Sequence, residues 1–350
     1  MAINYGIKYA PQLAQIFSKD SFIKGLFSAK MDFVGAKTVR VTRLLTTPET
    51  NYQRSGVNRY GAPQDVQDVV DEYTMTQDKA FTGIVDKGDE SDRAISDAAG
   101  HWLRQQLREQ SAPAADKYAL SRMAELGTIM AVSAKPTKTT VTAMFADARR
   151  KFTNALVPDS DRFAIVPAEI FNVIALCDEF IKMEKLGEKS VARGEVGSLF
   201  GFRVIEAPDQ YFPANVYAVF SIPQAGLMPY KLSDTKVHKD PPGISGALIE
   251  GRHYYDFFVR AEKADAMLVA GLASEQQAAV SLAKSGTTVT AASSGADKIY
   301  YTTDGSDPRF SMHREVYTAA LTVSSGTVVK AVAYKAGKFH SDVAAFTYTA

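Results

Sequence analysis

Five histidines, one cysteine and a few paired acids are the residues of this chain whose chemistry could support catalysis or metal binding. His101, His238, His253, His313 and His340 stand singly, and none lies within four residues of another histidine or of Cys177. A zinc site built from neighbouring ligands is therefore absent. Cys177 follows Ile174 and Leu176 and reads as a small buried hydrophobe rather than a nucleophile. His101 beside Trp102 reads as a packing or interface residue. Gly194, Gly197 and Gly201 recur without the Lys-Ser/Thr that a phosphate-binding loop requires, and so read as a tight loop feeding a strand at Phe202. Asp159/Asp161 and Asp178/Glu179 suit helix ends and solvated faces. Asp304, Ser306 and Asp307 could touch calcium, but Asp-Gly-Ser-Asp-Pro is more economically a turn. No catalytic, cofactor or metal residue is assigned.

The charges are more informative. Lys+Arg number 40 against 39 Asp+Glu, which excludes a polybasic binder of nucleic acid. Within residues 37–92, however, charge is sorted. Lys37, Arg40, Arg43, Arg54 and Arg59 face only Glu49, a surplus near +4. Nine acids, Asp68, Asp71 and Glu72 among them, then outnumber Lys79 and Lys87 by seven. The stretch between, Thr46 to Gln67, carries Pro48, Gly56, Gly61 and Pro63 and few core-forming residues. A loop this long in a compact domain is functional or disordered. Two readings stay open. The two legs neutralise one another, or Arg40, Arg43, Arg54 and Arg59 meet Asp68, Asp71 and Glu72 of a neighbouring copy.

Elements that would position such a loop are legible. Apolar residues at helical spacing, Ile95 to Leu107 and Tyr118 to Leu126, predict either two helices or one kinked at Pro113. A helix is expected over Val141–Leu156, with Met144, Phe145, Ala148, Phe152 and Leu156 inward. A buried strand is expected at Phe163–Pro167, a helix around Ile170–Phe180, and strands at Phe202–Glu206, Val216–Phe220, Ile244–Glu250, Tyr254–Arg260 and Ala266–Ala270. Helices and strands segregate, so the body is α+β. Residues 273–350 differ: 20 of 78 are Ser or Thr, with β-branched runs separated by Asp304-Gly305, Ser325-Gly326 and Ala336-Gly337. That pattern predicts a separate small all-β sandwich. No apolar run approaches the ~20 residues of a membrane span.

Two resemblances follow. The order of an arm, a two-legged loop and a long helix with Arg108-Glu109-Gln110-Ser111-Ala112-Pro113 resembles the major capsid proteins of tailed bacteriophages, the Hong Kong 97-type fold. So do Arg162-Phe163-Ala164-Ile165-Val166-Pro167 and Gly194-Glu195-Val196-Gly197-Ser198-Leu199-Phe200-Gly201-Phe202-Arg203-Val204-Ile205. The resemblance implies a shell domain over 1–272: arm 1–36, extended loop 37–88, spine helix 89–127, peripheral domain 128–160 with 228–272, and axial domain 161–227. It implies hexamers and pentamers closing an icosahedral virion shell around double-stranded DNA, assembled in the bacterial cytoplasm, with scaffold, portal and decoration proteins as further partners. An encapsulin-like compartment shares that fold. Ile299-Tyr300-Tyr301-Thr302-Thr303-Asp304-Gly305-Ser306-Asp307-Pro308, with Val328–Lys335, is similar to the immunoglobulin-like C-terminal module of chitobiases and β-hexosaminidases. That implies a displayed module with weak glycan contact, and keeps a carbohydrate-binding or carbohydrate-active protein as the rival reading. The expected activity is assembly, not turnover.

Overall fold

In the computed structural model, the residues described are 21–23, 25–27, 32–34, 38–44, 49, 51–55, 57–61, 68–88, 98–177, 195–311 and 313–349. Most of the expected arm, the start of the spine helix and residues 178–194 lie outside them.

Strands β1 (Asp32–Val34), β2 (Thr38–Leu44) and β3 (Asp68–Thr74) form an antiparallel sheet in that order, so a strand of the expected arm joins the two legs of the expected loop. Thr76 then turns the chain into β4 (Gln77–Asp86), which belongs to a different sheet. There it pairs with β12 (Gly246–Tyr255), itself paired with β11 (Tyr230–Lys239). The two runs expected at Ile244–Glu250 and Tyr254–Arg260 are thus one ten-residue strand plus β13 (Phe258–Val259), which pairs with β10 (Gly226–Leu227). Asp256 breaks the run between them. Gly251 lies opposite Phe81, and a Cβ on Gly251 would sit 2.2 Å from that ring. The glycine is there because the aromatic ring covers its backbone.

Helix α1 (Ala98–Gln106) and helix α2 (Ala112–Leu126) are joined by a π-helical turn, Leu107–Ser111. The Ala112 N–H reaches back five residues to the Leu107 carbonyl. One wide turn lets the axis continue past Pro113, whose ring would otherwise meet the carbonyl four residues earlier. The outcome is one continuous helix with a bulge. Trp102 lies against Gly83 of β4, where a Cβ would come within 2.5 Å of the indole, so α1 sits on the loop's second leg.

A six-stranded mixed sheet forms the main core, in the order β5 (Thr128–Val132), β14 (Met267–Leu272), β9 (Val216–Ser221), β6 (Phe163–Pro167), β8 (Phe202–Ala207), β7 (Glu195–Leu199). Its hydrogen-bonded layer takes strands from 128–160, 161–227 and 228–272 alike. Helix α3 (Val141–Asn154) covers it with Met144, Phe145, Ala148 and Phe152, all buried. Phe145, Phe152, Phe202 and Phe220 interlock with ring centroids 5.0–6.2 Å apart. Each such burial contributes roughly 1.5–3 kcal/mol, plus a smaller edge-to-face term. Leu156 is a correction: it lies past the helix end at φ 55° and is 89% exposed. Helix α4 (Ala168–Ala175) follows β6. The glycine-rich segment becomes a β7–β8 hairpin with Phe200 and Gly201, both at positive φ, as its two-residue turn.

The C-terminal part is β-rich, with two sheets facing each other. One contains β15 (Ser281–Ser285), β16 (Thr288–Ala292) and β19 (Leu321–Thr322). The other contains β18 (Glu315–Val316), β17 (Lys298–Thr302), β20 (Val328–Tyr334) and β21 (Ala344–Thr347). Val289 and Val323 pack with Val329 and Tyr348 between them. Gly305, Gly326 and Gly337 all have positive φ, as the turn chemistry requires. This part is seated on the body. Phe339 covers Gly271, its amide donates to the Glu275 carbonyl, and the Gln277 amide donates back to its carbonyl. His340 is buried with Nε2 2.8 Å from the Gly127 carbonyl and Nδ1 2.7 Å from the Ser341 carbonyl. Arg309, also buried, donates to Thr128 Oγ1.

Candidate assembly surface

The extended loop has a root, two legs and a tip. At the root, the carboxylate of Asp256 is 1% exposed and accepts four hydrogen bonds. Oδ1 takes the Tyr118 hydroxyl at 2.7 Å and the Phe257 amide at 2.7 Å. Oδ2 takes the Thr76 amide at 2.7 Å and the Thr76 hydroxyl at 3.0 Å. A buried carboxylate is tolerable only with its lone pairs filled, and here they are. The group ties three elements together: the β3–β4 turn, helix α2 and the β12–β13 turn. Tyr118 feels it in return. Burial and the bond to the Asp256 charge push its phenol up to about 12. Around this hub Val39, Tyr73, Met75, Leu227, Tyr254 and Phe258 make a second, smaller core. On the surface Arg252 grips Asp78 with two nitrogens, at 2.8 and 2.5 Å. Asp116, also buried in α2, accepts from the Ser21 hydroxyl and the Phe22 amide, tying residues 21 and 22 to this helix. Burial raises its carboxyl above the ordinary value.

In the legs, backbone register sets Arg40 opposite Glu72, Val41 opposite Asp71, Arg43 opposite Val69 and Leu44 opposite Asp68. Oppositely charged residues directly across an antiparallel pair attract one another. In backbone register Arg40 thus stands between Asp32 of β1 and Glu72 of β3. Arg43, Asp68 and Asp71 have no charged residue opposite them.

The tip has its own local structure. The Gln53 amide donates to the Arg59 carbonyl and the Gly61 amide to the Asn58 carbonyl, each at 2.9 Å. Asn58 and Gly61 have φ of 61° and 90°, suiting a turn. The rings of Tyr52 and Tyr60 meet edge to face at 5.0 Å. Tyr60 is 87% and Val57 91% exposed, and Arg54 and Arg59 flank them, also exposed. The described residues of the tip thus turn two tyrosines and a valine to solvent.

Sequence reading missed the hub. Its signal was present: a single Asp within the aromatic run Tyr254-Tyr255-Asp256-Phe257-Phe258 must be buried and must find donors. Tyr52 and Tyr60 lie among Pro, Gly and charged residues, with no periodicity to mark them as a contact pair.

Elsewhere the chemistry stays bland. Among the described residues no group of three or more His, Cys, Asp or Glu could hold a metal. Cys177 is buried. Asp304 accepts from the Ser306 amide and hydroxyl, and Asp307 pairs with Arg309, so both carboxylates serve the turn. His101 is exposed rather than packed, beside Arg104. No helix among the described residues is long and apolar enough to cross a membrane.

Comparison with known proteins agrees with this architecture. A family model described as Fn3 associated matches residues 288–348. No curated protein sequence matches the chain. Solved structures do. That of Mycobacterium phage Che8 is 17% identical, with a TM-score of 0.58, over 76% of this chain and 97% of that one. The mature capsid of bacteriophage PhiM1 is 13% identical at TM-score 0.59, over 77% and 92%. The capsid of cyanophage P-SCSP1u is 12% identical at 0.59, over 77% and 93%. The chain has the fold of phage capsid proteins, with a β-rich C-terminal part added to it.

Proposed function

We propose that this chain is the structural shell subunit of a tailed bacteriophage and acts by self-assembly rather than catalysis. The observation that carries the reading is the extended loop, exposed at its tip in Tyr52, Val57 and Tyr60, and anchored at its root by the filled Asp256 carboxylate. Val57 at the tip is 91% exposed, and repeated neighbours in a closed symmetric assembly would cover such a surface. In this reading residues 1–272 form the shell domain, as hexamers and pentamers around double-stranded DNA. Residues 37–88 are the loop laid on a neighbour and 89–127 the spine. Residues 273–350 form an immunoglobulin-like domain displayed on the shell. Arg40, Arg43, Arg54 and Arg59 meet acidic residues of the next subunit, Asp68, Asp71 and Glu72 among them. Near-neutral total charge fits a shell that encloses DNA without gripping it.

Sedimentation velocity of the purified chain tests the reading. Rapidly sedimenting, uniform particles are expected. A chain remaining monomeric at high concentration would end it.

A further inference from the structure

Where the C-terminal part meets the end of the spine helix there is a cleft of 350 Å3 whose walls come from both. From helix α2 come Arg122, Glu125 and Leu126, and from the C-terminal part Lys298, Tyr300, Arg309, Arg314 and Tyr334. The cations are unequally matched. Arg309 is fully engaged, with Asp307 at 2.7 Å and Thr128 at 3.1 Å. Arg122 pairs with Glu125 at 2.5 Å, yet its Nε is buried without a hydrogen-bond partner. Arg314 donates to the Arg309 carbonyl and lies 4.9 Å over the Tyr300 ring, and no carboxylate among the described residues pairs with it. Lys298 is exposed and makes no ion pair among them either. Asp297 is occupied by the Ala336 amide. The four cations of the cleft thus outnumber the carboxylates of Glu125, Asp297 and Asp307 by one, and Arg314 and Lys298 are the two that make no ion pair among the described residues.

Its second feature is aromatic. Tyr300 and Tyr334 meet edge to face at 5.4 Å and 85°. Both are half-buried and form one wall. Burial pushes the Tyr334 phenol up to about 12, so it stays a neutral O–H donor.

We infer that this cleft binds a carboxylate carried on a sugar-sized ring, of which a hexuronate is the simplest example. The planar fork of Arg314 matches a carboxylate's two oxygens, and Lys298 adds a second positive charge beside it. The tyrosine wall offers an apolar surface and hydroxyls to the ring. The volume lies at the small end of ligand sites and admits one ring rather than a folded segment of a partner. The site exists only while the C-terminal part is seated on the spine helix. The inference stands apart from the shell reading, since it needs one subunit only.

Isothermal titration of the full chain with glucuronate tests it, against glucose, acetate, inorganic phosphate and a hexaglutamate peptide. Saturable binding of glucuronate, absent with glucose, is expected. Arg314→Ala and Lys298→Ala should each weaken it about tenfold, the loss of one charged partner. Arg314→Lys keeps the charge but not the fork and should fall between. Arg149→Ala, an equal charge change on exposed α3, should leave binding unchanged. No binding would overturn the inference. Acetate or phosphate binding as tightly as glucuronate would reduce the site to a generic anion sink. Tighter binding of hexaglutamate would reassign it to acidic peptide.

Discussion

Asp256→Asn is the sharpest probe of how the loop is held. The substitution keeps the shape and removes the charge, replacing one acceptor oxygen by an NH2 donor. Whichever way the amide is turned, that NH2 faces a backbone N–H: Phe257 if it replaces Oδ1, Thr76 if it replaces Oδ2. The hydroxyls of Tyr118 and Thr76 can rotate to accept, but the amide hydrogens cannot. At least one charge-assisted bond is lost outright, another is reduced to a neutral one, and a buried amide is left unpaired. With charged hydrogen bonds at about 1.5–3 kcal/mol and a buried orphan at about 1–3 kcal/mol, the expected cost is about 3 kcal/mol. That is over a hundredfold in the folding equilibrium. Tyr118→Phe removes a single donor and leaves the carboxylate three others, so about 1–1.5 kcal/mol is expected. Urea unfolding of the dispersed subunit reads both. With a slope of about 3 kcal/mol per molar, Asp256→Asn should lower the midpoint by about 1 M. Hydrogen exchange should show the Thr76 and Phe257 amides, protected in the native chain, opening in the variant. An Asp256→Asn midpoint within about 0.2 M of the parent would refute the claim that this carboxylate anchors the loop.

Arg54→Glu with Arg59→Glu alters only exposed tip residues and should leave the unfolding midpoint unchanged while blocking assembly; normal particles by light scattering would contradict the loop–neighbour pairing. The phenols of Tyr118 and Tyr334, pushed up chiefly by burial, and of Tyr301, pushed up chiefly by its bond to Glu315, all reach about 12. Folded values above the ordinary 10.0 stabilise the chain below pH 10, and that stability is lost as pH rises through 12. Absorbance titration of phenolate should therefore show native tyrosines lagging; titration of all of them near pH 10 in the folded chain would contradict this. His340 has the opposite sign. Burial, helped by Arg309, holds its imidazole below 6.5 against the opposing pull of two carbonyls and Asp307. The unfolded chain takes the proton more readily, so the seat of the C-terminal part is at full strength above pH 6.5 and weakens as pH falls below it. Limited proteolysis at acid and neutral pH should show the junction opening in acid, with the difference abolished in His340→Gln; equal protection at both would refute it.

Much of the fold was legible because local chemistry and tertiary demand coincide. The run at Phe163–Pro167 is apolar throughout and is buried throughout. Lys298–Thr302 and Val328–Tyr334 are strands at the bounds their β-branched residues suggest. The misses have two causes, backbone irregularity at helix ends and bulges, and long-range contact. Leu156 fits the periodicity of α3, but the helix stops at Asn154 and Leu156 turns outward in a left-handed conformation. Pro113 marked a disturbance without saying that a single π-turn would absorb it. Asp256 depends on Thr76, 180 positions away, and on Tyr118, 138 positions away. The sorted charges of the loop were visible, while the register that aligns Arg40 with Glu72 was not. The cleft beneath the C-terminal part needs residues almost 200 positions apart, and no local pattern announces it.

Electron microscopy of the expressed full-length chain tests the central claim most directly. Closed, uniform icosahedral shells are expected, built of rings of five and six copies, with the Tyr52–Tyr60 tip of each subunit resting on the next. Dispersed single subunits at every concentration, or particles in which that tip touches only its own chain, would contradict it.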